Sequence, residues 1–144
     1  MKGKYCMPDE LSQEETARWL HYAHDDLASA ELLRTSASAP PRHACQLAQQ
    51  AAEKALKSAW VWFDIPIVKT HDIVFLQRQL PNGWRIHLFP DRELNALSHW
   101  AVESRYPGTE TEANASDAET AVAMAHRILA AIEVDLTTAG FLCP

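Results

Sequence analysis

The sequence predicts an all-α protein, an up-and-down helical bundle of about five helices. Its 144 residues include only four glycines and eight prolines, which cluster at a few places and leave long stretches without helix breakers. Within those stretches apolar residues recur every three or four positions, which is typical of amphipathic helices. The one short run of β-branched residues, 65–68, contains a proline and does not favour a strand.

The first two predicted helices are marked by a capping pattern and by prolines. The first begins at Ser12, which forms a capping box with Glu15, and continues to about Arg34. The second begins after two consecutive prolines, runs over 44–63 and is ended by Pro66. The predicted inner stripe of the first helix consists of Leu20, Ala23, Leu27 and Ala30.

Three further helices follow, and the short connections between the long ones favour antiparallel neighbours. A short third helix opens at Thr70, the predicted cap, with Asp72 in its first turn, and ends near 81–83. The fourth covers about 91–105, and the fifth opens at Ser116 in a second capping box. The apolar face of the fourth helix contains Leu94, Leu97, Trp100 and Ala101. The apolar set of the fifth is Ala118, Ala121, Val122, Ala125, Ile128, Leu129, Ile132 and Leu136.

Two tryptophans near the end of the second helix raise the question of an interface. Trp60 and Trp62 are two positions apart, about 200° around a helix, so we expect that a single core does not cover both. Either one of them lies under the third helix or the 82–90 loop, or it belongs to a dimer or partner interface.

Length and charge limit the possible functions. The chain has the size of one domain, 1–144, with a core over about 12–140. A net charge of −6 argues against coating nucleic acid through bulk charge. Residues 53–105 carry seven basic and six acidic side chains, whereas 106–144 carry one and six, so a phosphate site is expected in the middle. No apolar run is long enough to span a membrane and no signal-peptide core is present, so a cytoplasmic location is expected.

Three segments occur in an order that resembles one known family. They are the helix Cys45-Gln46-Leu47-Ala48-Gln49-Gln50-Ala51-Ala52-Glu53-Lys54-Ala55-Leu56-Lys57, the element Thr70-His71-Asp72-Ile73 followed by Leu76, and the element Ser104-Arg105-Tyr106-Pro107-Gly108. Together with the capped, alanine-rich last helix, they span roughly 15–136 and resemble the HEPN (higher eukaryotes and prokaryotes nucleotide-binding) family.

The resemblance implies a function for the whole chain. It implies a bundle of about five helices, frequent dimerisation, a cytoplasmic bacterial or archaeal setting, and pairing with a minimal nucleotidyltransferase in toxin–antitoxin-like modules. We therefore expect a homodimer that binds nucleotide or RNA with little or no catalysis. Many family members are metal-independent RNases with an Arg-x(4–6)-His pattern, which the Arg-Tyr-Pro branch often lacks. A protein-interaction module without a ligand is a third interpretation.

Five residues are candidates for binding nucleotide or RNA. The resemblance points to Arg105 and Tyr106, which combine a phosphate-binding guanidinium with an aromatic face. Lys54 and Lys57 lie three positions apart on a helix and form either a basic wall for phosphate or an ordinary solvated stripe. His71 is a further candidate, or it belongs to the cap of the third helix.

Candidates for catalysis are Arg92 and His99. Six residues separate them, so on a helix both lie on one face about 10 Å apart. Histidine suits proton transfer and arginine suits the developing phosphorane charge, although His99 can also be a packing residue beside Trp100. No cofactor or metal is expected, because there is no glycine-rich phosphate loop and the pair His21 and His24 has no further ligand at a fixed spacing. Three widely spaced cysteines are expected to be free thiols.

Overall fold

The computed structural model describes residues 10–103, 107 and 112–144, and this part of the chain is all-α with no strand. Five α-helices are connected in the order α1 (Glu10–Thr35), α2 (Pro41–Trp62), α3 (Ile73–Arg78), α4 (Asp91–Glu103) and α5 (Ala115–Thr138). A short 3₁₀ helix, Arg85–Leu88, lies between α3 and α4. The predicted helical bundle is confirmed. None of the helices in the described residues is long and apolar enough to cross a membrane.

The central helix of the bundle is α2. It packs against α1, α3, α4 and α5, and 13 of its 22 residues are buried. Many of those residues are alanines, whose small side chains allow neighbouring helices to approach closely. An ion pair between Lys54 and Asp26 fixes the antiparallel pairing of α2 with α1. His43 is the one fully exposed residue of α2, so this helix offers little surface to a partner.

The predicted inner faces of the long helices are confirmed. All four residues of the α1 stripe and all eight residues of the α5 set are buried. On α4, Leu94, Leu97 and Ala101 are buried and Trp100 is partly buried. The spacing of the apolar residues was sufficient to predict which side of each helix is buried, because one side of each helix packs against the rest of the bundle.

The start of α3 differs from the prediction. Asp72, rather than Thr70, is the N-cap, since its side chain accepts a hydrogen bond from the Phe75 N–H at 3.1 Å. Thr70 Oγ1 accepts from the Asp72 N–H at 3.1 Å and so supports the cap from outside the helix. Both residue types suit a cap, and the sequence pattern could not decide between them.

The starts of α1 and α5 also differ from the prediction. Ser12 lies inside the first turn of α1, which begins at Glu10. The capping box of α5 is formed by Asn114 and Asp117, whose side chains each accept from the other residue's backbone N–H at 2.8 and 2.9 Å, so Ser116 is not its cap. The predicted end of the fourth helix, 104–105, lies outside the described residues.

The expectation that one core cannot cover both tryptophans is wrong, whereas the alternative that one of them lies under the third helix is confirmed. Trp60 lies under α3, where its Nε1–H donates to the Leu76 carbonyl at 2.9 Å. Trp62 is covered by the C-terminal segment, where its ring meets Phe141 edge-on with centroids 5.8 Å apart. Both are buried by segments of the same chain, so neither requires a partner.

The 3₁₀ helix was not predicted, and polar contacts hold it between α3 and α5. The Arg85 backbone N–H donates to the buried carboxylate of Asp135 at 2.6 Å, and the Arg85 guanidinium pairs with the other oxygen of that carboxylate. His87 Nδ1 lies 2.6 Å from Oε1 of Gln77, a buried residue of α3. These contacts satisfy polar groups that would otherwise be costly to bury.

Candidate functional site

A cluster of four polar side chains lies where α2 meets the segment before α3. Its centre is Glu53, whose Oε1 accepts from Gln49 Nε2 at 3.0 Å and lies 2.8 Å from His71 Nδ1. The other carboxylate oxygen, Oε2, accepts from Lys57 Nζ at 2.8 Å. We call Gln49, Glu53, Lys57 and His71 the Glu53 cluster.

Burial decreases across the Glu53 cluster towards one exposed end. Gln49 is fully buried, and the side chains of Lys57 and Glu53 are 8% and 12% exposed. The side chain of His71 is 50% exposed. Because Nδ1 of His71 faces Glu53, the opposite ring nitrogen, Nε2, is the polar atom that the cluster offers to a ligand.

The electrostatics of the cluster depend on the ionised form of Glu53. Burial raises the pKa of this carboxyl group, but hydrogen bonds from Lys57, His71 and Gln49 outweigh burial and hold the pKa below its usual value. Glu53 is therefore ionised at neutral pH, and Lys57 balances its charge.

One buried atom of the cluster has no hydrogen-bond partner within the described part of the chain. Gln49 Nε2 donates to Glu53 and to the His71 carbonyl at 3.5 Å, which directs the amide so that Oε1 receives no donor. An unsatisfied buried acceptor costs about 1–3 kcal/mol. A donor group that reached this oxygen would remove that cost.

The structure separates the two predicted lysines. Lys57 belongs to the Glu53 cluster, whereas Lys54 pairs with Asp26 on α1. They form neither a continuous basic wall nor a solvated stripe, because each is held by its own carboxylate. Glu53 and Gln49 were not identified from the sequence, although the spacing of Gln49, Glu53 and Lys57 at i, i+4 and i+8 carries a signal for such a network.

The segment of His71 is attached to α4 as well as to α2. Ser98 Oγ accepts from the Ile73 N–H at 3.0 Å, which fixes the start of α3 against α4. Arg92 and His99 are both exposed on α4, and the His99 ring lies 5.1 Å from the Trp100 ring. Arg105 and Tyr106 lie outside the described residues. The catalytic roles of Arg92 and His99 and the binding roles of Arg105 and Tyr106 stay predictions.

The described residues contain no group of three His, Cys, Asp or Glu side chains placed to hold a metal ion. Cys45 and Cys143 are free thiols, as expected.

Comparison with known proteins shows the family. The HEPN domain matches residues 16–135, which is most of the chain. This protein therefore belongs to the HEPN family, and the resemblance seen in the sequence is confirmed.

Two solved structures are similar to this fold. One is the crystal structure of TT1696 from Thermus thermophilus, with 29% sequence identity, a TM-score of 0.67, and coverage of 83% of this chain and 97% of that chain. The other is the crystal structure of ST0689, described as an archaeal HEPN homologue, with 26% identity, a TM-score of 0.61, and coverage of 84% and 97%. No curated protein gives a significant match.

Proposed function

We propose that this HEPN protein binds a nucleotide or RNA at the Glu53 cluster and acts with a minimal nucleotidyltransferase in a cytoplasmic toxin–antitoxin-like module. The observation that carries the proposal is the half-exposed His71, oriented by the partly buried Glu53 carboxylate at 2.8 Å. A fixed imidazole at a solvent boundary can donate to a phosphate oxygen or to a base edge.

Two neighbouring features support a ligand of this kind. The Gln49 amide donates to the same Glu53 oxygen that contacts His71, which helps to fix the carboxylate that orients the imidazole. Ser98 holds the His71 segment against α4 by accepting a hydrogen bond from the Ile73 N–H. Arg105 and Tyr106, to which the family resemblance points, would supply a guanidinium for a phosphate and an aromatic ring for a base.

Ligand titration tests the proposal. Labelled ATP, GTP and a short single-stranded RNA are titrated against the wild type, His71→Ala and Arg105→Ala, at a stated salt concentration. We expect each substitution to weaken binding by about tenfold or more, the loss of one charge-assisted hydrogen bond. His21→Ala is the control, because His21 is an exposed histidine that also faces a carboxylate, Asp25 at 3.4 Å, but on α1.

The titration also distinguishes a protein that binds nucleotide or RNA from an interaction module without a ligand. If the wild type binds none of these ligands but binds a protein partner, the chain is an interaction module without a ligand. If His71→Ala binds as tightly as His21→Ala, the Glu53 cluster is not the site. A nucleotidyltransferase reading frame beside this gene, whose product copurifies with this chain, would support the partner assignment, and a neighbourhood without one would contradict it.

We propose metal-independent RNA cleavage as the second candidate function, because a histidine held by a buried carboxylate is the arrangement of an oriented general base. In this mechanism the imidazole accepts the 2′-hydroxyl proton, the 2′-oxygen attacks phosphorus, and a cation stabilises the phosphorane. The bond between phosphorus and the 5′-oxygen then breaks, and the 5′-oxygen leaves with the proton that the imidazolium returns to it. The products carry cyclic phosphate ends, a chelator has no effect, and DNA is not cut.

Single substitutions identify which histidine would act. His99→Ala and Arg92→Ala test the pair on α4, and His71→Ala tests the Glu53 cluster. Loss of the general base should lower the cleavage rate about 10²–10⁴-fold. Cleavage that survives both histidine substitutions, or that stops with a chelator, would contradict this function.

A further inference from the structure

His71 contacts its carboxylate through a different ring nitrogen from three other histidines of the described residues. Nδ1 of His71 lies 2.8 Å from Oε1 of Glu53. The other three contact a carboxylate through Nε2, and they are His21 with Asp25 at 3.4 Å, His24 with Glu133 at 3.0 Å and His126 with Glu31 at 3.6 Å. The nitrogen of His71 that does not face its carboxylate is therefore Nε2, the ring nitrogen farther from the backbone.

The contact with Glu53 determines which nitrogen of His71 carries a lone pair. Although burial raises the pKa of Glu53, hydrogen bonds from Lys57, His71 and Gln49 hold it below its usual value, so this group is a carboxylate at neutral pH. An ionised carboxylate only accepts hydrogen bonds, so Nδ1 of His71 carries a hydrogen and donates it. In the neutral ring the two nitrogens share one hydrogen, and the lone pair is then on Nε2.

The lone pair of His71 is accessible, whereas the carboxylate behind it is shielded. The side chain of His71 is 50% exposed and that of Glu53 is 12% exposed. A hydrogen donated from Nε2, as in the contacts of the other three histidines, leaves the lone pair on Nδ1 instead. That atom adjoins the ring carbon that bears the side-chain stem, so its approach is more hindered. The Glu53 cluster therefore presents the less hindered nucleophilic nitrogen at the surface.

We propose that Nε2 of His71 is a phosphoryl-acceptor site, which takes a phosphoryl group from a donor with a phosphorus–nitrogen bond. The lone pair of Nε2 attacks phosphorus, the bond between Nε2 and phosphorus forms, and the phosphorus–nitrogen bond of the donor breaks. In a phosphoramidate the donor nitrogen is already protonated, so it leaves with the bonding electron pair as a neutral amine. The ring keeps its Nδ1 hydrogen and becomes positively charged, and no redox change occurs.

Glu53 is a positioning residue in this reaction, and its own neighbours support that role. Its carboxylate stabilises the positive charge that develops on the ring, because the Nδ1–H of His71 donates to it. Lys57 Nζ, 2.8 Å from the other carboxylate oxygen, limits the repulsion between Glu53 and the incoming phosphoryl group. Phosphoryl transfer to His71 requires no bound nucleotide or RNA, so this inference does not rest on the proposed function.

Reaction of the full chain with potassium phosphoramidate tests the proposal. The reaction is run at about pH 8, where an ordinary histidine is neutral. Peptide mass spectrometry measures the rate at each histidine, and phosphorus NMR distinguishes Nε2 from Nδ1 phosphohistidine. We expect His71 to react at least about tenfold faster than His21, the effect of one charge-assisted hydrogen bond, and to form the Nε2 product. Equal rates at the two histidines, or an Nδ1 product on His71, would overturn the proposal.

Two further measurements show whether the folded Glu53 cluster causes the difference. Glu53→Gln should slow the reaction of His71 about tenfold while far-UV circular dichroism stays unchanged, and Asp25→Asn, which removes the carboxylate beside His21, is the matched control that leaves the His71 rate as it was. Wild-type protein unfolded in urea should lose the advantage of His71 over His21, and this result does not depend on how Glu53→Gln folds. An advantage that persists in urea, or an unchanged His71 rate in a folded Glu53→Gln, would overturn the proposal.

The phosphoramidate reaction and the ligand titration fail independently of each other. Phosphoramidate is neither a nucleotide nor an RNA, so a chain that binds ATP but shows no faster reaction at His71 contradicts this inference alone. A fast reaction at His71 in a chain that binds no nucleotide or RNA contradicts the proposed function alone.

Discussion

Glu53 joins three side chains through one carboxylate, and this contact makes folding stability depend on pH. Its pKa is below the usual value in the folded chain, so its contribution is present above the ordinary carboxyl range and is lost as the pH falls through the folded pKa. We expect Glu53→Gln to lower the free energy of unfolding by about 2–3 kcal/mol at pH 7, because Lys57 stays buried without its anion. Urea denaturation at pH 7 and below pH 4 measures it. An equal loss at both pH values would contradict this role.

Cys45 and Cys143 provide a second test at the level of single residues. Burial, helped by the charge of Asp117, raises the pKa of the Cys45 thiol to about 12. Since thiolate is the reactive form, only about one Cys45 in ten thousand is ionised at pH 8. We expect iodoacetamide to label the exposed Cys143 in the native protein and Cys45 only after unfolding, as mapped by mass spectrometry. Rapid labelling of native Cys45 would show that α2 is less well covered than described.

The sequence identified some of the site residues but not the residue that organises them. His71 and Lys57 were predicted as separate candidates, one by resemblance and one by helix spacing. Their connection through Glu53 could not be predicted, because it needs the loop before α3 to fold back against α2 over 18 residues. The partner of Lys54 could not be predicted for the same reason, because Asp26 lies 28 residues away on α1.

At the scale of whole helices, α2 and α5 end with the same backbone geometry but different residues. Asp64 follows α2 with φ of +55°, and Gly140 follows α5 with φ of +111°. In both, the next residue donates a backbone hydrogen bond to the carbonyl five residues back at 2.9 Å, from Ile65 to Trp60 and from Phe141 to Leu136. Only glycine adopts such φ values without cost.

This comparison predicts opposite effects for two substitutions. Asp64→Gly should raise the free energy of unfolding by about 1 kcal/mol, because it removes the left-handed strain of a side chain. Gly140→Ala should lower the free energy of unfolding by a similar amount, because alanine is strained at this positive φ. A steric clash is not the cause, since an added Cβ lies an ordinary 3.7 Å from its nearest atom, on Trp62. Thermal unfolding of both variants measures the pair. A stabilising Gly140→Ala would contradict the argument.

Helix interiors could be predicted better than helix ends for a physical reason. The inner face of a helix is defined by apolar residues in many turns, so one atypical residue does not change the prediction. All predicted residues of the α1 and α5 faces are buried. A cap depends on one or two side chains among several suitable neighbours. The N-cap of α3 is Asp72 rather than Thr70, and that of α5 is Asn114 rather than Ser116, so each predicted cap is two residues from the observed one.

At the scale of the whole molecule, the segment that follows α5 contacts both α1 and the end of α2, which are distant from it in sequence. Gln13 near the start of α1 bonds to the backbone of Leu142, accepting from its N–H at 3.1 Å. The same segment covers Trp62 at the end of α2 with Phe141, which is 2% exposed. The position of Trp62 on α2, two residues after Trp60, raised the question of what covers its ring. It could not predict that the cover is a segment nearly 80 residues later, because no local pattern encodes such a contact.

Phe141 should therefore be important for the stability of the whole bundle although only three residues of the sequence follow it. Phe141→Ala removes a buried ring and exposes Trp62, so we expect the free energy of unfolding to fall by about 3 kcal/mol. Urea denaturation followed by tryptophan fluorescence measures this, with a shift of native emission to longer wavelength as Trp62 meets water. Leu142→Ala is the control, because that side chain is 74% exposed and its backbone bonds to Gln13 are kept. Equal losses for the two variants, or a loss below about 1 kcal/mol for Phe141→Ala, would mean that the C-terminal segment does not close the core in solution.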